Sequence, residues 1–288
     1  MAKLMAHPPQ HSFSLQDSPS IAMIDSGVGG LSVLLAIKNI APYLDIYYLA
    51  DAKYAPYGEK SQEFIINRGH DLIDWFYDKK KFPQNPKVVV VACNTLTVYG
   101  IADFRLKKPA IHFVGVEPGL KPASDLTKNN HIALLATRAT LASQHMIEKI
   151  KNYENIPDKH FTILPIAGVG LVAEIEKYGL QSKKLQKLLD DYMDRVRDFE
   201  ADILVLGCTH YSFLQPMIKK SLPNVMIIDT SIAVAEQVLH FISPPPTDIS
   251  EQPQGQVRIF TTGDKKNMQK FIDGIFSFAS TAVEKINL

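Results

Sequence analysis

The chain has 288 residues, which is enough for two domains of ordinary size. It is 46% hydrophobic and 21% charged with a formal net charge of +1, so it resembles a soluble globular protein and lacks the basic excess of nucleic-acid or anionic-membrane binders. Only two cysteines are present, which excludes a disulfide-stapled secreted fold.

The amino-terminal stretch MAKLMAHPPQHSFSLQDSPS is polar and has no apolar core of signal-peptide length. No apolar run in the sequence approaches the roughly 20 residues of a membrane span. We therefore expect a cytoplasmic protein with no membrane and no nucleic-acid partner. Residues 1–19 are predicted to form a flexible arm ahead of the first strand.

Strand-like apolar runs alternate with amphipathic segments along the rest of the chain. Several runs are almost wholly apolar, as in strands that helices cover on both faces. The predicted strands are Ile21–Ile24, Ile46–Leu49, Val88–Ala92, His112–Val116, Ile132–Leu135, Thr162–Ile166, Ile203–Leu206, Val225–Ile228 and Val257–Thr261. This alternation predicts an α/β fold with mainly parallel, doubly wound sheets.

Two segments between the strands carry apolar residues at helical spacing, SQEFIINRGHDLIDWFYDKK (residues 61–80) and LQKLLDDYMDRVRDF (residues 185–199). The segment SPPPTDISEQPQGQ, Ser243–Gln256, is predicted to be a long loop or linker. A weak echo between KVVVVACNT and ADILVLGCT suggests two similar halves. We assign residues 20–113 and 229–288 to a first domain and residues 114–228 to a second, with the active site in the cleft between them.

A glycine-rich turn, in IAMIDSGVGGLSVL, follows the first predicted strand. A strand–glycine–helix unit can bind a dinucleotide, but that pattern requires a third glycine where this sequence has Ser32. A short turn that presents Asp25 and Ser26 to a small polar ligand fits better. Further on, Pro56-Tyr57-Gly58 is either a plain turn or a loop whose backbone N–H groups hold a carboxylate.

The two cysteines, Cys93 and Cys208, each follow an apolar strand at the point where the next helix begins. Either one alone is most simply a small buried side chain. As a pair they lie where ligands bind in open α/β sheets, and a helix amino end there is expected to lower a thiol pKa. The polar residues that follow are suited to cap a helix, hold a carboxylate or orient the sulfur: Asn94, Thr95, Thr209 and His210.

Metal and redox alternatives are poor competitors for these cysteines. Cys208-Thr209-His210 has no second ligand pair at zinc-site spacing, and no CxxC motif is present. A Cys–His hydrolase would need one nucleophilic cysteine and would leave the other without a role. We therefore expect neither a metal nor an organic cofactor.

Six stretches together resemble the glutamate racemase family, cofactor-independent enzymes of the aspartate/glutamate racemase superfamily. They are DSGVGGLSVL (residues 25–34), PYGEKS (56–61), VVACNT (90–95), LLATRAT (134–140), LGCTHY (206–211) and RIFTTGD (258–264). They occur in the family's order over nearly the whole chain, so together they are far more specific than any one of them.

This resemblance implies two pseudosymmetric α/β domains with the active site between them, and interconversion of L- and D-glutamate to supply D-glutamate for peptidoglycan. It implies that Cys93 and Cys208 transfer the protons and that Asp25 and His210 also tune the thiols. The residues implied to bind substrate are Asp25, Ser26, Tyr57, Gly58, Asn94, Thr95, Thr209 and His210. A homo-oligomer and an activator, UDP-N-acetylmuramoyl-L-alanine, are further expectations from the family.

Elementary chemistry agrees with this assignment, because inverting a stereocentre by proton transfer needs a base on one face of Cα and an acid on the other. Two alternatives remain: a racemase of aspartate or another amino acid built on the same plan, and a two-lobed binding protein without turnover. The presence of both cysteines argues against the binding protein, since binding alone requires neither thiol.

Two positions depart from the family pattern. A small residue usually follows the first Cys-Asn-Thr, whereas this chain has Leu96, which is expected to reshape that wall. In GLVAEIE the family places an acid directly after the Leu-Val pair, where this chain has Ala173 followed by Glu174. We leave Glu174 without an assigned catalytic role.

Overall fold

The structure is a computed structural model that describes residues 20–82, 85–157, 159–242, 254–275 and 282–288. The predicted arm, residues 1–19, lies outside the described residues, and so do residues 243–253 of the predicted linker. Within the described ranges, no helix combines the length and the apolar character that a bilayer crossing requires.

Ten strands in the described part of the chain form two all-parallel sheets. The strands are β1 (Ser20–Asp25), β2 (Asp45–Ala50), β3 (Val88–Val91), β4 (His112–Gly115), β5 (His131–Ala136), β6 (Thr162–Ala167), β7 (Ile203–Gly207), β8 (Met226–Ile228), β9 (Val257–Thr261) and β10 (Val283–Lys285). The first sheet has the order β10-β9-β2-β1-β3-β4 and the second the order β6-β5-β7-β8. All nine predicted strands are confirmed, and β10 is an addition.

Helices connect the strands, as parallel pairing requires. They are α1 (Leu31–Ile40), α2 (Gln62–Phe76), α3 (Asn94–Lys107), α4 (Leu120–Leu126), α5 (Arg138–Ala142), α6 (Gln144–Glu154), α7 (Leu171–Tyr178), α8 (Lys183–Asp198), α9 (Gln215–Ser221), α10 (Ser231–Phe241) and α11 (Lys265–Ile275). Both segments predicted as helices are confirmed, as α2 and α8. Each begins at a serine whose hydroxyl accepts a backbone N–H, Ser61 from Phe64 and Ser182 from Leu185.

The strand side chains alternate between two packed layers. In β1, Ile21 and Met23 join a large core cluster that also contains Ala133 and Leu135 of β5. The intervening residues of each strand pack into separate clusters on the other face of its sheet. Because one cluster holds side chains of both sheets, the two halves of the molecule share a continuous apolar core, and the outer clusters lie under the remaining helices.

The predicted boundary between residues 113 and 114 falls inside β4. All four residues of β4 pair with β3, so this strand completes the first sheet and the chain leaves that sheet only after Gly115. After β8 the chain returns, since β9 pairs with β2 and β10 with β9. The second sheet is thus formed by a continuous central stretch of chain.

A buried carboxylate, Asp51, joins several elements of the first half. Its oxygens accept hydrogen bonds from Arg68 Nε and Nη2 at 2.8 and 2.7 Å, from the Tyr57 hydroxyl at 2.6 Å and from the Thr262 hydroxyl at 2.8 Å. These bonds tie the end of β2 to α2, to the loop after β9 and to the 3₁₀ turn Tyr57–Glu59. Asp51 therefore holds in place the turn that carries the Pro-Tyr-Gly motif.

Replacing Arg68 by Met should destabilise the protein by about 3–5 kcal/mol, because it leaves the buried charge of Asp51 without its cation. The matched control is Arg258→Met, which removes the exposed ion pair with Glu284 and should cost less than about 1 kcal/mol. Urea unfolding of both variants measures the difference. Equal losses in the two variants would show that the Asp51 cluster is not a stabilising anchor.

Candidate active site

A small cavity lies at the carboxyl ends of strands from both sheets. Its walls include the segments after β1 and β3 of the first sheet and after β5 and β7 of the second. The lining residues are Ser26, Pro56, Tyr57, Gly58, Cys93, Asn94, Thr95, Thr137, Val172, Cys208, Thr209 and His210. Nine of the ten residues predicted for the site line this cavity, and the tenth, Asp25, is fully buried outside its wall.

Cys93 stands between β3 and α3, as the residue that precedes the helix. Its thiol donates toward the Ser26 hydroxyl at 3.7 Å, and the residue is only 6% exposed. Burial, followed by the negative charge of Asp25, raises the pKa of Cys93. The N–H of Leu96 at the helix start acts in the opposite direction but is outweighed. The expected lowering of this thiol's pKa by the helix amino end is therefore wrong, because desolvation is the larger effect.

Cys208 ends β7 and precedes a 3₁₀ helix, Thr209–Leu214, rather than an α-helix. Its Sγ lies 3.8 Å from Nδ1 of His210, whose Nε2 lies 2.6 Å from Oε1 of Glu176. Burial by itself would lower the pKa of His210, but its hydrogen bonds with Cys208 and Glu176 prevail and raise that pKa well above the ordinary value. The imidazolium form is thus favoured beside the Cys208 sulfur.

Glu176 is the acidic partner that the sequence reasoning missed. The family pattern points to position 173, which is Ala173 here, with Glu174 next to it. Glu174 accepts from Ser182 at 2.9 Å and pairs with Lys184 at 2.7 Å, and it does not line the cavity. All three positions lie on α7, where residues four apart share a face. Glu176 follows the cavity-lining Val172 by four positions, so the helical period of GLVAEIE was the signal that could have identified it.

Asp25 ends β1 beneath the glycine-rich turn and is completely buried. Its Oδ2 accepts the N–H of Gly30 at 2.8 Å and lies 3.1 Å from the Tyr48 hydroxyl, while Oδ1 has no hydrogen-bond partner among the described residues. Burial is the chief cause that raises the pKa of Asp25. A Cβ at Gly30 would lie 2.8 Å from that of Ala92, so only glycine allows this close approach.

Polar side chains of α3 face the cavity in fixed orientations. The Asn94 amide donates to the carbonyl of Val116 at 3.0 Å, and its Oδ1 has no partner in the described ranges. The Thr95 hydroxyl lies 2.9 Å from that of Thr137, which lies 2.9 Å from that of Thr140. Thr137 and Thr140 belong to LLATRAT, a motif from which the sequence alone predicted no site residue.

Tyr57 and Leu96 contribute to the cavity wall differently from what the sequence predicts. Tyr57 lines the cavity, but its hydroxyl donates to Asp51, and burial followed by that carboxylate raises the Tyr57 pKa. The hydroxyl proton is therefore already engaged, and the tyrosine can offer its ring and backbone to a ligand. Leu96 packs in the core of the first half and does not line the cavity, so the expected change of that wall is wrong.

The walls of the cavity offer thiols, hydroxyls, amide groups and one imidazole. Among residues in the described ranges, no cluster of three or more His, Cys, Asp or Glu side chains is arranged to hold a metal ion. Both cysteines are free and buried. Two thiols carried by different sheets and opening into one small polar cavity can act on a single bound molecule from two directions.

A family model described as Asp/Glu/Hydantoin racemase matches residues 33–238. That stretch is more than half of the chain, so the chain belongs to the Asp/Glu/hydantoin racemase family. The resemblance read from the motifs and the α/β fold with two parallel sheets are confirmed.

Within this family, the chain is similar to glutamate racemases. The enzyme of Pseudomonas putida is 36% identical over 270 residues, which cover 91% of this chain and 98% of the relative. That of Pseudomonas syringae pv. tomato is 40% identical over 228 residues, 79% of each chain. A crystal structure of Escherichia coli glutamate racemase with L-glutamate and the activator UDP-MurNAc-Ala matches with a TM-score of 0.78 at 27% identity, covering 93% and 98%. The chain is accordingly an enzyme of the glutamate racemase group.

Replacing Asp25 by Asn should stabilise the protein increasingly as the pH rises. The pKa of Asp25 is raised from its ordinary 3.8 in the folded state, so the wild type loses stability as the pH rises from that value through the folded pKa. The variant has no carboxyl to ionise and escapes this loss. Urea unfolding between about pH 4 and pH 8 measures it, with Asp198→Asn, on the exposed end of α8, as control. Parallel curves for wild type and Asp25→Asn would contradict the prediction.

Proposed function

We propose that the protein interconverts L-glutamate and D-glutamate, without a cofactor, by proton transfer at Cα between two cysteines. The observation that carries this proposal is the position of Cys93 and Cys208. They come from different sheets, are only 6% and 7% exposed, and line the same cavity. A base on one face of Cα and an acid on the other is the arrangement that inversion by proton transfer requires.

The surroundings of the two sulfurs differ in charge. Burial and the charge of Asp25 keep Cys93 as a thiol, since they raise its pKa. On the other side, the imidazolium of His210 supplies a positive charge 3.8 Å from the Cys208 sulfur. The proposed reaction uses one thiolate and one thiol together. The thiolate removes the Cα proton, the thiol delivers its proton to the opposite face, and the two groups exchange roles in the reverse reaction.

Carbanion character at Cα has to be stabilised, because this hydrogen is very weakly acidic. Backbone N–H groups at the start of α3 and of the 3₁₀ helix Thr209–Leu214 point toward the cavity end of each segment, where a substrate α-carboxylate can accept from them. The side chains of Asn94, Thr95 and Thr209 add further polar contacts. Most of the lining residues are buried, and electrostatic interactions are stronger in such surroundings than in bulk water.

Glutamate is the substrate that the cavity and the relatives support together. The hydroxyl and amide groups in the cavity lining, from Ser26, Asn94, Thr95 and Thr209, are suited to bind the carboxylates of an amino acid. The related Escherichia coli enzyme was crystallised with L-glutamate. D-Glutamate made in this way would supply peptidoglycan synthesis. Aspartate is the second candidate, since it carries the same functional groups on a side chain one methylene shorter.

The activity test follows the optical signal of purified protein with each enantiomer of glutamate and aspartate, by circular dichroism and with no cofactor added. We expect both glutamate enantiomers to racemise. Cys93→Ser and Cys208→Ser should each lose more than about 90% of turnover, because a hydroxyl is a poor acid–base match at neutral pH. In D₂O, the product enantiomer should carry deuterium at Cα.

The controls separate loss of chemistry from loss of fold. Each serine variant should retain the wild-type circular dichroism spectrum in the far ultraviolet and its unfolding midpoint. A variant that keeps more than roughly a tenth of wild-type turnover has lost less than about 1.4 kcal/mol of transition-state stabilisation, and the two-base assignment would then be wrong. Racemisation of aspartate alone would move the substrate to the second candidate.

We further propose that UDP-N-acetylmuramoyl-L-alanine activates this enzyme, as its relative from Escherichia coli was crystallised with that activator. An effector can raise turnover only by binding the active conformation more tightly than the others. The precursor should therefore raise the racemisation rate of the full chain and of a variant that begins at Ser18. Equal rates with and without the precursor in both proteins would reject activation, and activation of the full chain alone would assign it to the arm.

A further inference from the structure

A second cavity, the vestibule, adjoins the cysteine cavity and opens to solvent. It shares Pro56, Gly58, Thr137 and Val172 with the inner cavity. Its remaining lining residues are Glu59, Arg138, Gly168, Val169, Gly170 and Ala173. Because four residues belong to both walls, the vestibule is the mouth through which a small molecule reaches the two cysteines.

The charges of the two cavities differ. No Lys or Arg is among the described residues that line the inner cavity, where His210 is the one group with a favoured positive charge. The vestibule holds Arg138 and Glu59, both exposed. Neither side chain makes a hydrogen bond or an ion pair with any residue in the described ranges. Each charge is therefore available to an incoming ligand.

Hydrogen bonds around α5 fix the position of Arg138 at the mouth. Thr137 precedes the helix and accepts the N–H of Thr140 at 3.1 Å, while the Tyr99 hydroxyl donates to the carbonyl of Ala139 at 2.9 Å. These contacts hold α5 against α3. The arginine therefore projects from an anchored backbone.

The vestibule also marks the line where the two halves of the molecule meet. A Cβ at Gly58 would lie 2.9 Å from the Cβ of Thr137, so the backbone of the first half touches the second half there. Glu59 and Arg138 are the next residues along each segment. The two opposite charges thus lie on opposite sides of the same contact, one from each half.

We propose that Arg138 captures the anionic substrate at the mouth through a carboxylate, and that Glu59 opposes this capture. The inference rests on the proposed function, because glutamate carries a net charge of −1 at neutral pH. A cation at a cleft attracts such an anion and raises its local concentration, whereas a nearby anion lowers it. Arg138 lies in the outer cavity, so its charge acts on binding and not on the proton transfers between the cysteines.

The test is a steady-state comparison of Arg138→Gln, Arg138→Lys and Glu59→Gln with wild type, using glutamate at low salt. Arg138→Gln should lower kcat/KM by about threefold to tenfold through KM, with kcat within about twofold. Arg138→Lys should stay near wild type, because it keeps the charge. Glu59→Gln should change KM in the opposite direction. At about 1 M salt the differences should largely disappear, since screening then acts within about 3 Å.

The matched control is Arg195→Gln, an exposed arginine of α8 that lines neither cavity, and its kcat/KM should equal that of wild type. Unchanged KM in Arg138→Gln, or a loss confined to kcat and insensitive to salt, would overturn the role of Arg138. A fall in KM for Arg138→Gln equal to that for Glu59→Gln would overturn it as well. If the wild-type protein does not racemise glutamate, the proposed function fails first, and the two failures are distinguished.

Discussion

The carboxylate of Glu176 connects both halves of the molecule beside the cavity that holds the two cysteines. It lies 2.6 Å from Nε2 of His210 and accepts the N–H of Val28 at 2.8 Å, so it fixes an imidazole of the second half and the glycine-rich turn of the first. A Cβ at Gly27 would lie 1.8 Å from Oε1 of this carboxylate, so the contact requires glycine at that position. The positive charge beside Cys208 depends on the same geometry.

Local sequence patterns were sufficient for the fold and for most of the cavity wall. Apolar runs identify buried parallel strands, and each cysteine follows one of them at a strand exit. The echo between KVVVVACNT and ADILVLGCT and the family resemblance predicted that the two exits, which belong to different sheets, face each other. The features that the sequence did not predict depend on contacts between distant residues, on the phase of a helix or on a very short strand. The pKa of Cys93 follows from burial, which no local pattern reports. Glu176 follows from the phase of α7, and β10, three residues with one buried side chain, has too short a pattern to be recognised.

Burial around the cavity changes the pKa of its titratable groups and also limits the stability of the protein. It raises the pKa of Cys93, but it also places Asp25 where its ionised form is costly. His210 escapes the same penalty because Cys208 and Glu176 both bind its ring. The site thus combines the positive charge of His210, which its neighbours stabilise, with the carboxyl of Asp25, which they leave only partly satisfied. Catalytic sites commonly retain such groups because their function outweighs their cost.

The order of strand pairing makes the two halves depend differently on synthesis of the chain. All strands of the second sheet lie between His131 and Ile228, so their partners are available once that stretch has left the ribosome. In the first sheet, β2 pairs with β9, with Ile46 opposite Val257, and Thr262 completes the contacts of Asp51. The first sheet cannot be completed until residues 257–288 have been synthesised. If translation stalls before residue 257, the nascent chain carries both cysteines. It lacks β9 and β10, which complete the sheet that carries Cys93.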